Sequence, residues 1–190
     1  KADRVLVTRL AHRAAELDDH DPWAHMALGY LSFTERETEE AVRHFQEALD
    51  LNPNFAAAHG YIGWALVFDA RSEEALRHFD QAMRMSPRDP LNGFFYAGVS
   101  AAHYFAGRYA EAIKAGRQAV QLRPGILGGY RILAASLAQA GQLEEARAAM
   151  AHLRQVHPTI SVQWITQSVP YTPAAMEKFL EGLRKAGLPD

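Results

Sequence analysis

A stretch of 15 residues that ends in proline recurs four times along this chain, and the recurrence limits the fold more than any single residue does. The closing prolines are 34, 37 and 34 residues apart. Repeats of this period are typical of solenoids, in which each unit buries its apolar face against its neighbours. The aligned copies are EEAVRHFQEALDLNP (39–53), EEALRHFDQAMRMSP (73–87), AEAIKAGRQAVQLRP (110–124) and EEARAAMAHLRQVHP (144–158).

Each unit is predicted to be a pair of antiparallel helices that approach closely at two repeat positions. When the closing proline is numbered 32, position 8 holds only Gly, Ser or Ala, and position 20 holds only Ala. The prolines end the second helices, because proline lacks a backbone donor and disfavours helical geometry in the preceding residue. The residues at the two positions are Gly29, Gly63, Ser100 and Ala134, then Ala41, Ala75, Ala112 and Ala146.

This pattern resembles the tetratricopeptide repeat, whose family pattern has a small residue at position 8, alanine at 20 and 27, an aromatic residue at 24 and proline at 32. The resemblance covers residues 22–158. It implies an all-α fold, a right-handed α-solenoid of helix-turn-helix units with a C-terminal capping helix. We expect units at 22–55, 56–92, 93–126 and 127–158, the second of which includes a lengthened connection.

The two ends of the chain are expected to differ. Residues 1–21 fit the second helix of a repeat whose first helix is missing, so we expect the natural chain to continue upstream. Residues 159–171 are predicted to be an apolar extended segment that packs on the array. Residues 172–190 are predicted to form a capping helix that begins at Thr172 and Pro173.

Departures from the family pattern lead to two structural expectations. Gly116 replaces the aromatic residue of position 24 in the third unit, which by itself leaves an unfilled space, and we expect another group to fill it. Gly107 and Gly141 suit a left-handed turn between the helices of units three and four. Arg36 and Ala70 occupy that place in units one and two, so those two turns are expected to be less regular.

The first helices of this family line a concave ligand-binding surface, and here the corresponding positions are largely aromatic and apolar. The residues with which some members grip a peptide carboxylate are absent from units one to three. The expected ligand is therefore a hydrophobic segment or an amphipathic helix. The alternative is that several of these side chains only fill the interior. The candidate groove residues are Trp23, Met26, Tyr30, Phe33, Tyr61, Trp64, Phe68, Phe94, Tyr104, Phe105 and Arg131.

The sequence argues against a metal site, a cofactor and an active site. His25 and His59 share repeat position 4, and His44 and His78 share position 23, so repeat duplication explains their recurrence better than converging ligands. The acidic pairs at the start of second helices favour the helix dipole and need no catalytic role. The net charge of −2 is far from a basic stripe, so nucleic acid is not an expected partner.

A second resemblance concerns the context of the array. Ser86–Pro90 and Phe179–Pro189 are similar to the C-terminal regions of large bacterial regulatory proteins, in which a class III adenylate or guanylate cyclase domain, or a winged-helix DNA-binding domain, precedes the repeats. This implies a non-catalytic regulatory module of a signalling protein. The alternative is a scaffolding or homodimerisation element.

The expected partner is a protein or peptide segment, and Thr159 to Tyr171 of the same chain could fill that role. No apolar run approaches the roughly 20 residues that span a bilayer. We expect a soluble chain, and the cytoplasm is favoured over the periplasm.

Overall fold

The computed structural model describes residues 2–189, and within that range the chain forms eleven helices and no strand. Lys1, the first residue of the predicted half-unit, and Asp190, the last residue of the predicted capping helix, lie outside the described residues. None of these eleven helices combines the length and the apolar character needed to cross a bilayer. The helices are α1 (Ala2–Leu17), α2 (Pro22–Glu35), α3 (Thr38–Leu51), α4 (Ala56–Phe68), α5 (Ser72–Met85), α6 (Asn92–Phe105), α7 (Tyr109–Leu122), α8 (Leu127–Gln139), α9 (Leu143–Val156), α10 (Val162–Ser168) and α11 (Pro173–Lys185).

Helices α2 to α9 form four consecutive pairs, α2/α3, α4/α5, α6/α7 and α8/α9, and each pair packs against the next. The first helices also contact one another along the array, α4 with α6 and α6 with α8. Helix α1 precedes the pairs and packs on α2, and α11 follows them and packs on α8. The predicted fold class, an all-α solenoid with a C-terminal capping helix, is confirmed.

In the first two units the glycine of position 8 lies against the phenylalanine of position 24 in the same unit. A Cβ atom on Gly29 would lie 2.6 Å from the Phe45 ring, and one on Gly63 would lie 2.8 Å from the Phe79 ring. Both rings are fully buried. Because a Cβ cannot approach a ring this closely, the glycines allow the two helices of a unit to meet around a phenylalanine.

Gly116 does not leave the unfilled space that its position predicts. A Cβ atom built on Gly116 would lie 3.0 Å from Ser100 Oγ and 3.2 Å from Leu133 Cβ. The Ser100 hydroxyl, itself buried, donates to the Ala112 carbonyl oxygen at 2.7 Å. As expected, other residues fill the space: α6 and α8 pack directly on the α7 backbone at this point, where no aromatic ring separates them.

The turns inside the four units share one geometry, although two of them were expected to be less regular. The φ angles are 68° at Arg36, 58° at Ala70, 78° at Gly107 and 79° at Gly141. In every turn this residue's N–H donates to the carbonyl three residues earlier, and the next N–H donates to the carbonyl five residues earlier. These two hydrogen bonds hold a left-handed conformation that costs a non-glycine residue about 1–2 kcal/mol.

The longer connection between units two and three is held by side-chain hydrogen bonds. Asn92 Nδ2 donates to the Ser86 carbonyl oxygen at 3.1 Å and to the Pro87 carbonyl oxygen at 3.0 Å. The Leu91 N–H donates to Asp89 Oδ1 at 2.8 Å. The extra residues therefore form a defined loop that leads directly into α6.

The segment after the fourth unit is not extended as predicted, because it contains the short helix α10. Ser161 Oγ accepts a hydrogen bond from the Trp164 N–H at 3.2 Å, which caps the start of this helix. Ile165 is fully buried. A serine cap and a buried isoleucine thus favour about two turns of helix in a stretch whose composition indicates only an apolar segment.

Helix α11 closes the C-terminal end by burying one face against the array. Phe179 and Leu183 are buried, and the Tyr104 hydroxyl of α6 donates to the Lys178 carbonyl oxygen at 2.7 Å. At the other end, Leu10 and Leu17 of α1 stay 56% and 70% exposed. The apolar surface is therefore covered at the C-terminal end and open along α1.

Candidate functional site

Aromatic side chains of α2, α4 and α6 form a continuous series of ring contacts, which we call the aromatic row. Such separations are typical of stabilising aromatic pairs. The contacts run Tyr30–Tyr61, Phe33–Tyr61, Phe33–Phe68, Phe68–Trp64 and Trp64–Phe94, with ring centroids between 4.9 and 5.8 Å apart.

The members of the aromatic row differ in how much a ligand could touch them. Trp64 is only 6% exposed, and its Nε1–H donates to the Phe94 carbonyl oxygen at 3.2 Å. Tyr30 is 47% exposed. Trp64 therefore connects α4 to α6 and offers a ligand little surface, whereas about half of Tyr30 is accessible.

Five of the predicted groove residues lie outside the aromatic row, namely Trp23, Met26, Tyr104, Phe105 and Arg131. Met26 is buried and Tyr104 is fully buried, so neither is accessible to a ligand. Trp23 is exposed, and its ring packs edge-on against Phe55 with centroids 4.6 Å apart. The sequence pattern identified their helix positions but not their burial.

A pocket of about 210 Å³ lies between the aromatic row, α8 and the C-terminal segment. Five of the predicted groove residues line it, namely Phe33, Trp64, Phe68, Phe94 and Arg131. The other wall is Ser168 to Tyr171. The remaining lining residues are Ala97, Ile126, Gly128, Ile132 and Phe179.

Tyr171 connects the C-terminal segment to the pocket. Its ring centroid lies 5.7 Å from that of Phe68, 4.8 Å from that of Phe105 and 5.3 Å from that of Phe179. Burial raises the pKa of its hydroxyl. Phe105, predicted to face a ligand, is instead in contact with this tyrosine.

Arg131 brings a positive charge to the wall of this apolar pocket. Its guanidinium carbon lies 5.4 Å from the Trp164 ring centroid, a cation–π arrangement. Among the residues that the structure describes, no carboxylate pairs with this guanidinium and no hydrogen bond engages it. Burial lowers the pKa of Arg131, although an arginine remains charged at neutral pH. Because a half-buried charge without a partner is costly, the pocket favours an anionic group.

Ile126, Ile132 and Phe179 also line the pocket, although the repeat pattern does not place them there. Phe179 belongs to the apolar face of α11, a face that the spacing of Met176, Phe179, Leu180 and Leu183 indicates. What the spacing does not indicate is that α11 packs beside α8 and so turns Phe179 toward the aromatic row.

The histidines at repeat positions 4 and 23 converge, contrary to the argument from repeat duplication. The ring centroids of His25 and His44 are 6.3 Å apart, and those of His59 and His78 are 5.2 Å apart. The reason is that positions 4 and 23 face each other across an antiparallel helix pair. Duplication of the repeat therefore produces two histidine pairs.

Several solved structures share this fold at low sequence identity. PilW, a widely conserved type IV pilus biogenesis factor, superposes with a TM-score of 0.76 at 18% identity over 97% of this chain and 82% of its own. PilF of Pseudomonas aeruginosa gives 0.73 at 18% identity over 97% and 80% of the two chains. YrrB, a TPR protein with an unusual peptide-binding site, gives 0.62 at 22% identity over 93% and 90%.

No curated protein matches the sequence. Family models described as tetratricopeptide repeat match residues 22–55 and residues 62–126. Together the two matched ranges span just over half of the chain. They fall on the helix pairs α2/α3, α4/α5 and α6/α7, and the second range begins inside α4. The chain therefore belongs to the tetratricopeptide-repeat family.

Proposed function

We propose that this chain is a non-catalytic binding module for a hydrophobic protein segment that carries an acidic group. A tetratricopeptide array implies protein–protein interaction. The chemistry of the pocket supports the more specific proposal that the ligand is both hydrophobic and acidic. The observation that carries it is Arg131, which lies in an aromatic-lined pocket without an acidic partner among the described residues. The ligand would supply both the apolar side chain and the missing negative charge.

The chemistry of the pocket supports a ligand with these two features side by side. The rings of Phe33, Phe68 and Phe94 offer apolar contact, and a volume of about 210 Å³ suits a side chain rather than a whole helix. A carboxylate can accept two parallel hydrogen bonds from an arginine. Because the pocket is partly shielded from water, this ion pair would be stronger there than at a fully exposed site.

We infer that Thr159–Tyr171 acts as a wall of the binding site, which is the form that the predicted intramolecular contact would take. Arg36 Nη2 donates to the Gln167 carbonyl oxygen at 2.7 Å, and the Thr172 N–H donates to the Phe68 carbonyl oxygen at 3.2 Å. Tyr171 then covers Phe105, and the space beside Arg131 is left for a ligand.

Fluorescence anisotropy with short labelled peptides tests this proposal. The peptides place a leucine or phenylalanine next to glutamate, and matched peptides carry glutamine instead. We expect the glutamate series to bind more tightly, and Arg131→Gln to weaken it by about tenfold or more, because a hydrogen bond to a charged group is worth about 1.5–3 kcal/mol. Arg147→Gln on α9 makes the same change of net charge at an exposed site and is the control.

Two results would contradict the proposal. One is equal binding of the glutamate and glutamine peptides to the unaltered chain. The other is an Arg131→Gln protein that keeps the full preference for glutamate. A circular dichroism spectrum of each variant shows whether the solenoid is intact.

Self-association is a second candidate function, and the exposed face of α1 favours it. Leu6, Leu10 and Leu17 are spaced so that they share one side of the helix, and they are 43%, 56% and 70% exposed. A second copy could cover this side. Light scattering over a range of protein concentrations tests the idea, and a chain that stays monomeric at the highest concentration would contradict it.

The regulatory context in a cyclase-type or winged-helix protein remains a prediction, as does the cytoplasmic location. It rests on Ser86–Pro90 and Phe179–Pro189, and both segments have structural roles that account for their residues. Ser86 and Pro87 accept hydrogen bonds from Asn92, and Phe179 is buried. Reading the gene upstream of Lys1 tests this prediction.

A further inference from the structure

His25, His44 and Glu47 meet between α2 and α3 in an arrangement that suits a metal ion. Glu47 Oε2 lies 3.0 Å from His25 Nδ1 and 2.9 Å from His44 Nδ1. Each of the three side chains offers one ligand atom within 4.8 Å of the other two. Tetrahedral sites with bonds of about 2.0–2.1 Å hold their ligand atoms about 3.3 Å apart, so small adjustments would admit a cation.

The oxygen atoms near the Nε2 atoms of the two histidines match the usual surroundings of a metal-bound histidine. His25 Nε2 lies 2.9 Å from the Asp19 carbonyl oxygen, and His44 Nε2 lies 3.3 Å from Glu40 Oε1. A histidine that binds zinc through one ring nitrogen nearly always donates its other N–H to a carbonyl or carboxylate oxygen. With Nε2 of His25 engaged in this way, its Nδ1 lone pair is available to a metal. His44 reaches the same state when its Nε2–H donates to Glu40 and not when Nε2 accepts from Arg43 Nη2, which lies 3.1 Å away.

The proton count at His25 favours a cation in this place. Both of its ring nitrogens face oxygen acceptors, Asp19 O and Glu47 Oε2, but a neutral imidazole carries only one N–H. A metal ion between Nδ1 and Oε2 removes this conflict without protonating the ring.

The surrounding charges leave the cluster net negative. Arg43 contacts His44 Nε2 at 3.1 Å and pairs with Glu40 and Glu47. When the two histidines are neutral, the two glutamates outnumber this one arginine.

We propose that His25, His44 and Glu47 bind a divalent transition-metal ion of the zinc class, with water completing the coordination. Two imidazoles and one carboxylate form a ligand set that zinc accepts and that magnesium and calcium, which require oxygen ligands, do not favour. The side chains are 15%, 13% and 35% exposed in that order, so an ion can reach them from solvent. Bound metal would join the two helices of the first unit.

The second unit contains a natural control. His59 and His78 occupy the same repeat positions as His25 and His44, but Gln81 stands where Glu47 stands in the first unit. A neutral amide contributes no charge and is a poor zinc ligand. The proposal therefore predicts one strong site per chain, in the first unit.

Calorimetric titration of the untagged, chelator-treated protein with ZnCl₂ near neutral pH measures this site directly. We expect saturable binding of one zinc ion per chain at micromolar concentration, and no comparable binding of MgCl₂ or CaCl₂. His44→Gln and Glu47→Gln should each weaken zinc binding more than tenfold. Glu40→Gln should weaken it about 10- to 100-fold if its contact orients His44, and His78→Gln should leave it unchanged.

Co²⁺ provides a readout that does not depend on stability, because tetrahedral coordination by nitrogen and oxygen gives an intense visible absorption. We expect this absorption in the unaltered protein and in His78→Gln, and its loss in Glu47→Gln. Two results would overturn the proposal: no saturable zinc binding by the unaltered protein, or equal zinc binding by His44→Gln, Glu47→Gln and the unaltered protein. The second result would place the metal elsewhere, for example at the exposed group Asp18, Asp19 and His20.

Discussion

The Nδ1 atoms of His59 and His78 lie 3.0 Å apart across the α4/α5 pair. One ring must donate and the other accept, because only one proton fits between two nitrogens at this distance. Burial lowers the pKa of His59. Burial and then the neighbouring His59 lower the pKa of His78 from 6.5 to about 4. The second unit is therefore built around two neutral imidazoles.

The free energy of unfolding should fall as the pH is lowered from 6.5 toward 4. The pKa of His78 is depressed in the folded state to about 4 from 6.5, so the unfolded chain binds more protons across this interval. The contribution of this group is complete above pH 6.5 and is lost as the pH falls through the folded pKa. Urea unfolding at several pH values measures the slope. His78→Gln should reduce the slope of the free energy of unfolding against pH. The control His12→Gln, at an exposed site, should leave the slope unchanged. Equal slopes in the unaltered chain and both variants would contradict the prediction.

Gly98→Ala should destabilise the chain. A Cβ atom at this position would lie 2.2 Å from Cζ of the fully buried Phe79. Overpacking costs about 1–3 kcal/mol, more than the gain of about 1 kcal/mol from replacing a helical glycine. In the control Gly128→Ala the added Cβ atom would lie 3.7 Å from Arg131 Nη2, an ordinary contact distance, so the stability of this variant should be unchanged or higher. A Gly98→Ala protein as stable as the control would show that α4, α5 and α6 can separate at low cost.

Ala70→Gly should stabilise the chain by about 0.5–1 kcal/mol. The φ angle of 58° at Ala70 costs alanine about 1–2 kcal/mol, part of which is offset by the greater freedom of glycine in the unfolded chain. The reciprocal change Gly141→Ala, at a φ of 79°, should destabilise by a similar amount. Thermal and urea unfolding measure both. Changes of the same sign would contradict the shared turn geometry.

Tyr104→Phe should weaken the attachment of α11 to α6. The change removes the hydroxyl that donates to the Lys178 carbonyl oxygen at 2.7 Å, and a buried hydrogen bond of this kind contributes about 1 kcal/mol. Faster amide hydrogen exchange confined to α11 is the expected signature. Tyr109→Phe alters a neighbouring ring, whose centroid is 5.7 Å from that of Tyr104, and should leave exchange in α11 unaffected. Unchanged exchange in Tyr104→Phe would mean that apolar contacts alone hold the helix.

The predictions from sequence succeeded where local chemistry decides the outcome. Proline ends the second helices, and Gly29 and Gly63 accept the phenylalanine rings of their own units. The turns at Arg36 and Ala70 were misjudged, since residue preference alone disfavours a positive φ there. Two backbone hydrogen bonds in each turn outweigh that preference.

The candidate site was predicted only in part for a different reason. Phe33, Phe68 and Phe94 could be placed on first helices by counting within a repeat, but Trp64 is largely covered and Tyr171 forms part of the pocket. The burial of a side chain on a first helix depends on which distant segment of the chain packs over it. The repeat pattern does not predict where a segment outside the repeats will pack.

The amino-acid sequence by itself determined the helix pairs, their order and the family, because a 34-residue pattern of small, aromatic and proline residues acts within each unit and between adjacent units. Only the tertiary structure decided that His25, His44 and Glu47 converge, and that α10, α11 and Tyr171 close a pocket beside Arg131. These contacts depend on the packing of whole helices against one another, since the free energy of burying an apolar face depends on the surface that receives it.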